Sequence, residues 1–164
     1  MNTKDQVERL YDILGDFSTG MLCTLSASGR IGARPMAVAA VSEAGEILLV
    51  TADDSRKVHE VEEQQTVCFT CQGDSRFLSL NGRARVSKNV RLLKELWNPQ
   101  FQAWFPEGPE DSSAVLLVVT PERGEYWDSS GIQKVAYVYE TAKAYATGTT
   151  PDVSSDEQHA KVSM

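Results

Sequence analysis

The side chains best suited to chemistry in this 164-residue chain are grouped around the triplet Ser55-Arg56-Lys57. The triplet follows a strand-like run that ends at Thr51, and it opens a segment with helical spacing of apolar residues. A helix N-terminus offers free backbone N–H groups and the positive end of the helix dipole, which together favour an anion. Arg adds forked donors suited to phosphate, and Lys adds a compact charge. The triplet therefore predicts a site for a phosphate-bearing ligand, although a solvated Arg-Lys pair on a surface helix has the same pattern.

A further cation, Arg34, lies inside the apolar run 31–41. A charge within a strand is costly to bury unless it is paired, so Arg34 needs a partner, an edge position or a ligand. The runs 31–41 and 46–51 flank a turn at 42–45 and indicate two successive strands. This order of strand, turn, strand and helix start predicts that Arg34 and the triplet lie near one another.

The periodicity of the chain indicates a mainly β protein with flanking helices. Strands are predicted at 21–26, 31–41, 46–51, 66–71, 76–86 and 114–119, with a turn at 121–123 before a last strand segment at 124–128. Helical spacing is found at 3–14, 55–65, 89–97 and 135–146. Successive strands at short spacing, with few helices between them, favour a small antiparallel barrel over an open parallel sheet. With no repeat or linker to divide it, residues 1–148 form one predicted domain that includes both terminal helices, and the polar residues 149–164 are expected to form a mobile tail.

The charge and hydropathy of the chain argue against nucleic-acid binding, membrane insertion and export. The formal net charge of −7 argues against a nucleic-acid-binding protein, since such proteins need a basic face, but it allows a local basic pocket for one phosphate. No apolar run is long enough to span a bilayer, and the polar N-terminus lacks the core of a signal peptide. We therefore expect a cytoplasmic protein with neither a membrane nor a nucleic-acid partner.

The three cysteines include a C-x-x-C pattern at Cys68 and Cys71, so a metal or dithiol site has to be considered. Residues three apart in a strand point to opposite faces, and no second pair of cysteines is present to complete a metal site. Buried strand cysteines are the favoured interpretation, and no metal site is predicted.

The segments around the two cations resemble a known flavin motif. Ala33-Arg34-Pro35-Met36, followed by Leu49-Val50-Thr51 and Ser55-Arg56-Lys57, resembles the flavin-mononucleotide (FMN) motif of the pyridoxamine 5′-phosphate oxidase-like split barrels. More narrowly, the chain is similar to the general stress protein 26 group, with supporting likeness at 80–86, 96–97, 104–109 and 125–128. The resemblance implies a six-stranded antiparallel split β-barrel with Greek-key connections, and a homodimer with flavin at the subunit interface.

The resemblance also implies roles for particular residues. The Arg34 strand would lie along the flavin, Val50 and Thr51 would contact its ring or ribityl chain, the triplet would hold the phosphate, and Trp127 would approach from the partner subunit. The aromatic segment 98–109 has two interpretations, a core or interface element and a set of rings stacked on a flat ligand. The implied cofactor-binding residues are Arg34, Pro35, Met36, Ala37, Val50, Thr51, Ser55, Arg56, Lys57, Trp104 and Trp127.

The departures from the family pattern bear on function. Pyridoxamine phosphate oxidases continue after this tryptophan into an Arg-x-His segment that grips the substrate, whereas residues 128–134 contain neither Arg nor His. The expected function is therefore an FMN-binding general stress protein that acts as an oxidoreductase on an unknown substrate, with a reduced nicotinamide as candidate electron donor. The alternative is a flavin store, carrier or sensor without turnover. FAD is also compatible with an open barrel edge, and no residue is a committed general acid or base.

Overall fold

The computed structural model describes residues 2–130, 132–150 and 159–164, which form seven strands and four α-helices. In chain order these are α1 (Thr3–Gly15), β1 (Thr19–Leu25), β2 (Ile31–Val41), β3 (Ile47–Ala52), α2 (Arg56–Glu63), β4 (Thr66–Gln72), β5 (Arg76–Ser87), α3 (Val90–Glu95), β6 (Ala114–Asp128), α4 (Ile132–Thr147) and β7 (His159–Ser163). Two short 3₁₀ helices, Pro99–Ala103 and Gly108–Glu110, lie between α3 and β6. None of the described helices is both long and apolar enough to cross a membrane.

All strand pairings are antiparallel, and six of the strands close into a barrel. Strands β1, β2 and β3 form a meander, and the chain returns through α2 to place β4 beside β1, so the order β3-β2-β1-β4 is a Greek key. Strands β5 and β6 follow, and β6 pairs back onto β3 to close the barrel. The predicted six-stranded antiparallel barrel is confirmed, with β7 as an additional strand.

The predicted turn at 121–123 is wrong, because β6 runs unbroken for 15 residues. Pro121 lies opposite Gly82, where the β5–β6 register slips by one residue. Such a bulge accommodates a proline, which cannot donate a ladder hydrogen bond. A Cβ at Gly82 would lie 2.1 Å from the carbonyl oxygen of Thr120, so the bulge requires glycine there. The length of β6 lets its first half pair with β3 and its second half with β7.

The end of the chain also differs from the prediction of a mobile tail over 149–164. Residues 159–163 form β7, which pairs with residues 123–127 of β6 and buries Ala160 and Val162. The intervening residues 151–158 of the predicted tail lie outside the described residues. The predicted helix at 135–146 lies within α4.

Two clusters of buried apolar side chains hold the helices against the barrel. Helix α1 packs Leu10, Ile13 and Leu14 into the cluster that fills the barrel. The second cluster lies on the other face of β3 and β6, where α3 and the segment 99–105 cover the strands. Strand β3 is therefore buried on both faces, which explains its continuous apolar sequence.

Candidate functional site

A cavity of about 420 Å³ lies between β2, the end of β3, the start of α2 and the aromatic segment. Its volume is in the range of small-molecule and cofactor sites. Seven of the predicted site residues line it: Pro35, Met36, Ala37, Val50, Thr51, Lys57 and Trp104. Ala52, Gln100, Phe101 and Phe105 complete the lining. The fold thus brings together two strand segments and a helix start that the sequence placed in one motif.

The aromatic segment divides its rings between two roles. Phe101 and Phe105 are buried and meet Trp97 edge-on, with ring centroids 5.7 and 6.1 Å from it. Trp104 is 81% exposed, although it also borders the cavity. The two phenylalanines therefore pack in the core, as the first interpretation of the segment predicted. The exposed Trp104 side chain is available to cover a flat ligand, as the second interpretation predicted.

Ser55 stands at the N-terminus of α2 with its hydroxyl unused. Its side chain does not cap the helix, and its shielded Oγ has no hydrogen-bond partner among the described residues. A buried hydroxyl without a partner is costly, and native structures rarely leave one. The first turn of α2 also contains no acidic residue. This helix end is therefore suited to receive the oxygen atoms of an anion.

Lys57 adds a positive charge that lacks a close counter-charge. It has no carboxylate within ion-pair distance in the described parts of the chain, and it lines the cavity. Burial lowers the pKa of Lys57, and the neighbouring Arg34 charge lowers it further, while Asp54 opposes the shift. An anion in the cavity would reverse this shift, since an opposite charge favours the protonated form.

Arg34 has a partner that the sequence analysis missed, the buried carboxylate of Glu60. Nη2 of Arg34 donates to Oε2 of Glu60 over 3.1 Å, and Nη1 donates to the Leu22 carbonyl and to the Thr24 hydroxyl. Nε of Arg56 lies 3.3 Å from Oε1 of the same carboxylate. Chiefly through the hydrogen bond from Thr24, and against the effect of burial, this network lowers the pKa of Glu60. The only sequence signal was the i, i+4 spacing of Arg56 and Glu60.

The two guanidinium groups converge above Gly32. A Cβ at this glycine would lie 2.9 Å from Nη2 of Arg34 and 3.4 Å from Nη2 of Arg56. Both guanidinium groups share the Glu60 carboxylate, and Lys57 lies close enough to feel the charges of Arg34 and Asp54. The predicted site residues Arg34, Ser55 and Arg56 do not line the cavity itself.

The sequence profile of the family described as pyridoxamine 5'-phosphate oxidase like matches residues 5–152. The chain belongs to this family. A putative general stress protein 26 from Jannaschia sp. CCS1 is similar over 98% of this chain and 99% of its own, with 29% identity and a TM-score of 0.74. No functionally curated protein matches the sequence significantly.

Two more distant structures share the fold of this pyridoxamine 5'-phosphate oxidase-like chain. General stress protein 26 from Bacillus anthracis is 22% identical, covering 73% of this chain and 91% of its own, with a TM-score of 0.66. A pyridoxamine 5'-phosphate oxidase-related, FMN binding protein from Nostoc punctiforme is 13% identical, covering 78% of this chain and 82% of its own, with a TM-score of 0.61. At these identities the likeness shows the split-barrel fold alone.

Trp127 of this family member does not line the cavity of its own chain. It stands on the outer face of β6 opposite Phe77, and its ring stacks on His159 with centroids 5.2 Å apart and planes 10° from parallel. Nε2 of His159 lies 2.6 Å from Oε1 of Glu125. Sequence reasoning missed His159 because it lay in the predicted tail, although the inward Ala160 and Val162 give β7 an alternating pattern.

Proposed function

We propose that this protein binds FMN in the 420 Å³ cavity, with the phosphate at the N-terminus of α2. Ser55 and Lys57 would hold the phosphate directly, Arg56 would approach it from the solvent side, and Arg34 would add to the positive potential. The isoalloxazine ring would lie against residues 35–37 of β2, with Val50 and Thr51 along its other edge and Trp104 as a cover. Aromatic side chains and backbone amides are common partners of flat conjugated ligands.

The unused Ser55 hydroxyl is the observation that carries this proposal. It is shielded from solvent, it lacks a partner among the described residues, and it stands where a helix dipole favours an anion. The uncompensated Lys57 beside it supports the same ligand class. FMN and FAD both carry a phosphate on the ribityl chain, so this site could hold either. The adenylate part of FAD would have to extend through the open side of the cavity.

A homodimer with the flavin at its interface is part of the same proposal. Large apolar side chains are exposed on the outer faces of two pairs of neighbouring strands, with β4 between the pairs: Ile31 and Met21 on β2 and β1, and Phe77 and Trp127 on β5 and β6. Exposed apolar patches of this kind mark interaction surfaces. In a dimer, Trp127 would approach the flavin of the partner subunit, since it does not line the cavity of its own chain.

When bound, the flavin would supply the electron-transfer chemistry, while the protein binds, orients and shields it. We propose an oxidoreductase of unknown substrate that takes electrons from a reduced nicotinamide. Pyridoxamine phosphate oxidation is not proposed, because residues 128–134 offer no Arg-x-His segment for the substrate. A flavin store, carrier or sensor is the second candidate, since Lys57 is the only acidic or basic side chain among the described residues that line the cavity.

Titration of the purified protein with FMN, riboflavin and FAD tests the site. The double variant Arg56→Ala with Lys57→Ala should weaken FMN binding well over tenfold, given about 1.5–3 kcal/mol per charge-assisted bond. Riboflavin, which lacks the phosphate, should bind the variant and the natural protein equally. The control Arg91→Ala with Lys94→Ala removes the same charges from exposed positions on α3 and should leave FMN affinity unchanged.

Two outcomes would reject parts of the proposal. Unchanged FMN affinity in the first double variant would remove the phosphate assignment, and the absence of saturable flavin uptake by the natural protein would remove the flavin site. With FMN loaded, anaerobic mixing with reduced nicotinamides separates the two candidate functions. Flavin reduction faster than that of free FMN supports an oxidoreductase, whereas the free-FMN rate supports a store, carrier or sensor.

A further inference from the structure

Cys23 and Cys68 face each other directly across the β1–β4 pairing. Both are partly exposed on the outer side of the barrel, and both line a cavity of about 170 Å³. Leu25, Ile31 and Asn81 also border this cavity, which shares no lining residue with the candidate flavin cavity. The pair is not the C-x-x-C motif of the sequence, whose second member is Cys71.

We propose that Cys23 and Cys68 form a redox-active dithiol, which a hydroperoxide converts into a cross-strand disulfide. None of the features of this modification site depends on a bound cofactor. Its cavity shares Ile31 with the apolar face proposed as the dimer interface, so dimer formation through that face would shield the two thiols from the hydroperoxide. A hydroperoxide fits the site because it is small enough for a cavity of about 170 Å³ and supplies both oxidising equivalents in one molecule.

The β1–β4 register makes a disulfide between Cys23 and Cys68 feasible, whereas the geometry of β4 excludes one between Cys68 and Cys71 of the C-x-x-C motif. Residues directly opposite in an antiparallel pair have Cα atoms about 4.5–5.5 Å apart, which is within the span of a disulfide. Cys68 and Cys71 are three residues apart along β4, a Cα separation of about 10 Å, and their side chains leave opposite faces of the strand. A disulfide cannot cover that separation.

The surroundings of the two sulfur atoms assign them different roles. The Ser79 hydroxyl lies 3.6 Å from Sγ of Cys68, within the distance at which it can donate a hydrogen bond and stabilise a thiolate. Burial and the adjacent Cys68 raise the pKa of Cys23, while the Arg34 charge opposes the shift. The Ser79 contact, which Cys23 lacks in the described parts of the chain, assigns Cys68 as the first nucleophile and Cys23 as the resolving thiol. Burial raises the pKa of the Cys71 thiol to about 11, which leaves Cys71 unreactive.

The reaction balances with the hydroperoxide as the only co-reactant. The Cys68 thiolate attacks one peroxide oxygen, the O–O bond breaks, and an alcohol leaves (water in the case of hydrogen peroxide), so that a sulfenic acid remains on Cys68. The Cys23 sulfur then attacks the Cys68 sulfur and expels water. Two thiols lose two electrons and two protons, and the peroxide is reduced by two electrons.

The experiment treats the full-length reduced protein with hydrogen peroxide and counts free thiols after denaturation. Two of the three thiols should be lost, and peptide mapping under non-reducing conditions should join the peptides of Cys23 and Cys68. Cys71→Ser, the matched control, should form the same bridge. Cys23→Ser and Cys68→Ser should each form no intramolecular disulfide.

Three results would overturn the proposal: no disulfide in the natural protein, a bridge that requires Cys71, or bridges formed only between chains. The test does not depend on the variants folding, because arsenical binding by the natural protein provides a second measurement. A trivalent monoarsenical binds two adjacent thiols at once, so the reduced chain should bind one equivalent and the peroxide-treated chain none. Failure to bind the arsenical would equally count against a paired dithiol.

Discussion

Nη2 of Arg34 and Oε2 of Glu60 lie 3.1 Å apart in an ion pair that leaves the carboxylate only 9% exposed. The pair joins β2 to α2, the two elements that carry the proposed flavin motif. It also resolves the cost of placing a cation in an apolar strand, because the Arg34 charge is compensated within the fold. In the proposed flavin site the phosphate would therefore be held chiefly by Ser55 and Lys57, whose side chains form no such ion pair or hydrogen bond in the described parts of the chain.

Replacement of Glu60 by Gln should change protein stability and FMN affinity in opposite directions. The free energy of unfolding should fall by about 3 kcal/mol, because the variant leaves a largely buried guanidinium without its counter-charge. FMN affinity should rise, because a negative charge near the phosphate has been removed. Chemical denaturation and flavin titration measure the two effects. The control Glu63→Gln, an exposed position on the same helix, should change neither, and a loss of FMN affinity in Glu60→Gln would contradict the proposed geometry.

The stability of the protein should decrease in acid through Asp128, which receives hydrogen bonds from Arg9, Arg76 and Ser130. Burial alone would raise the pKa of Asp128, but the Ser130 hydrogen bonds and the two arginine charges lower it below the usual 3.8. Because the folded-state pKa lies below the unfolded-state value, the stabilisation is present above pH 3.8 and is lost as the pH falls through the folded-state pKa.

Asp128→Asn tests this contribution. At neutral pH the variant should be less stable by about 3 kcal/mol, and its stability should vary less with pH in the acid range. Asp16→Asn is the matched control: Asp16 also pairs with Arg76 but is half exposed, so its loss should cost less than about 1 kcal/mol. Urea denaturation at a series of pH values measures both. Parallel acid limbs for Asp128→Asn and the natural protein would argue against this role.

Trp104→Ala should weaken flavin binding without affecting stability. The side chain is 81% exposed, so its removal should change the free energy of unfolding by less than about 0.5 kcal/mol. Phe105→Ala, in the same segment but with a ring only 6% exposed, should cost about 3–5 kcal/mol. Thermal denaturation and flavin titration distinguish the two positions. Equal flavin affinity for Trp104→Ala and the natural protein would remove Trp104 from the site.

Gly82→Ala should destabilise the barrel at the β5–β6 bulge. The added methyl group would meet the backbone of Thr120 and Pro121, which cannot move aside, so a loss of about 1–3 kcal/mol is expected. Gly15→Ala is the comparison variant, since a Cβ there meets no atom within 4 Å. Denaturant midpoints of the two variants measure the difference. A Gly82→Ala protein as stable as the natural one would show that the bulge does not need glycine.

Local patterns were sufficient for most of the barrel. The branched residues of 46–51 and the apolar run 114–119 identified β3 and the first part of β6, because such residues suit strands that are buried in a sheet. The same local evidence misplaced a turn at Pro121, since proline usually ends a central strand. Only the pairing with Gly82 shows that a bulge allows the strand to continue. Strand β7 escaped prediction because five residues carry too little periodic signal without a pairing partner.

The sequence by itself determined most of the helices and strands of this protein and the motif that relates it to its family, because periodicity, turn residues and the order 33–57 are local properties. It also predicted that Arg34 needs a partner, an edge position or a ligand. Only the tertiary structure decided that this partner is Glu60, that Lys57 and the Ser55 hydroxyl remain available, and that Cys23 pairs with Cys68 rather than Cys71 with Cys68. Those relationships depend on strand register and on the return of the chain through α2, which join residues 26 and 45 positions apart.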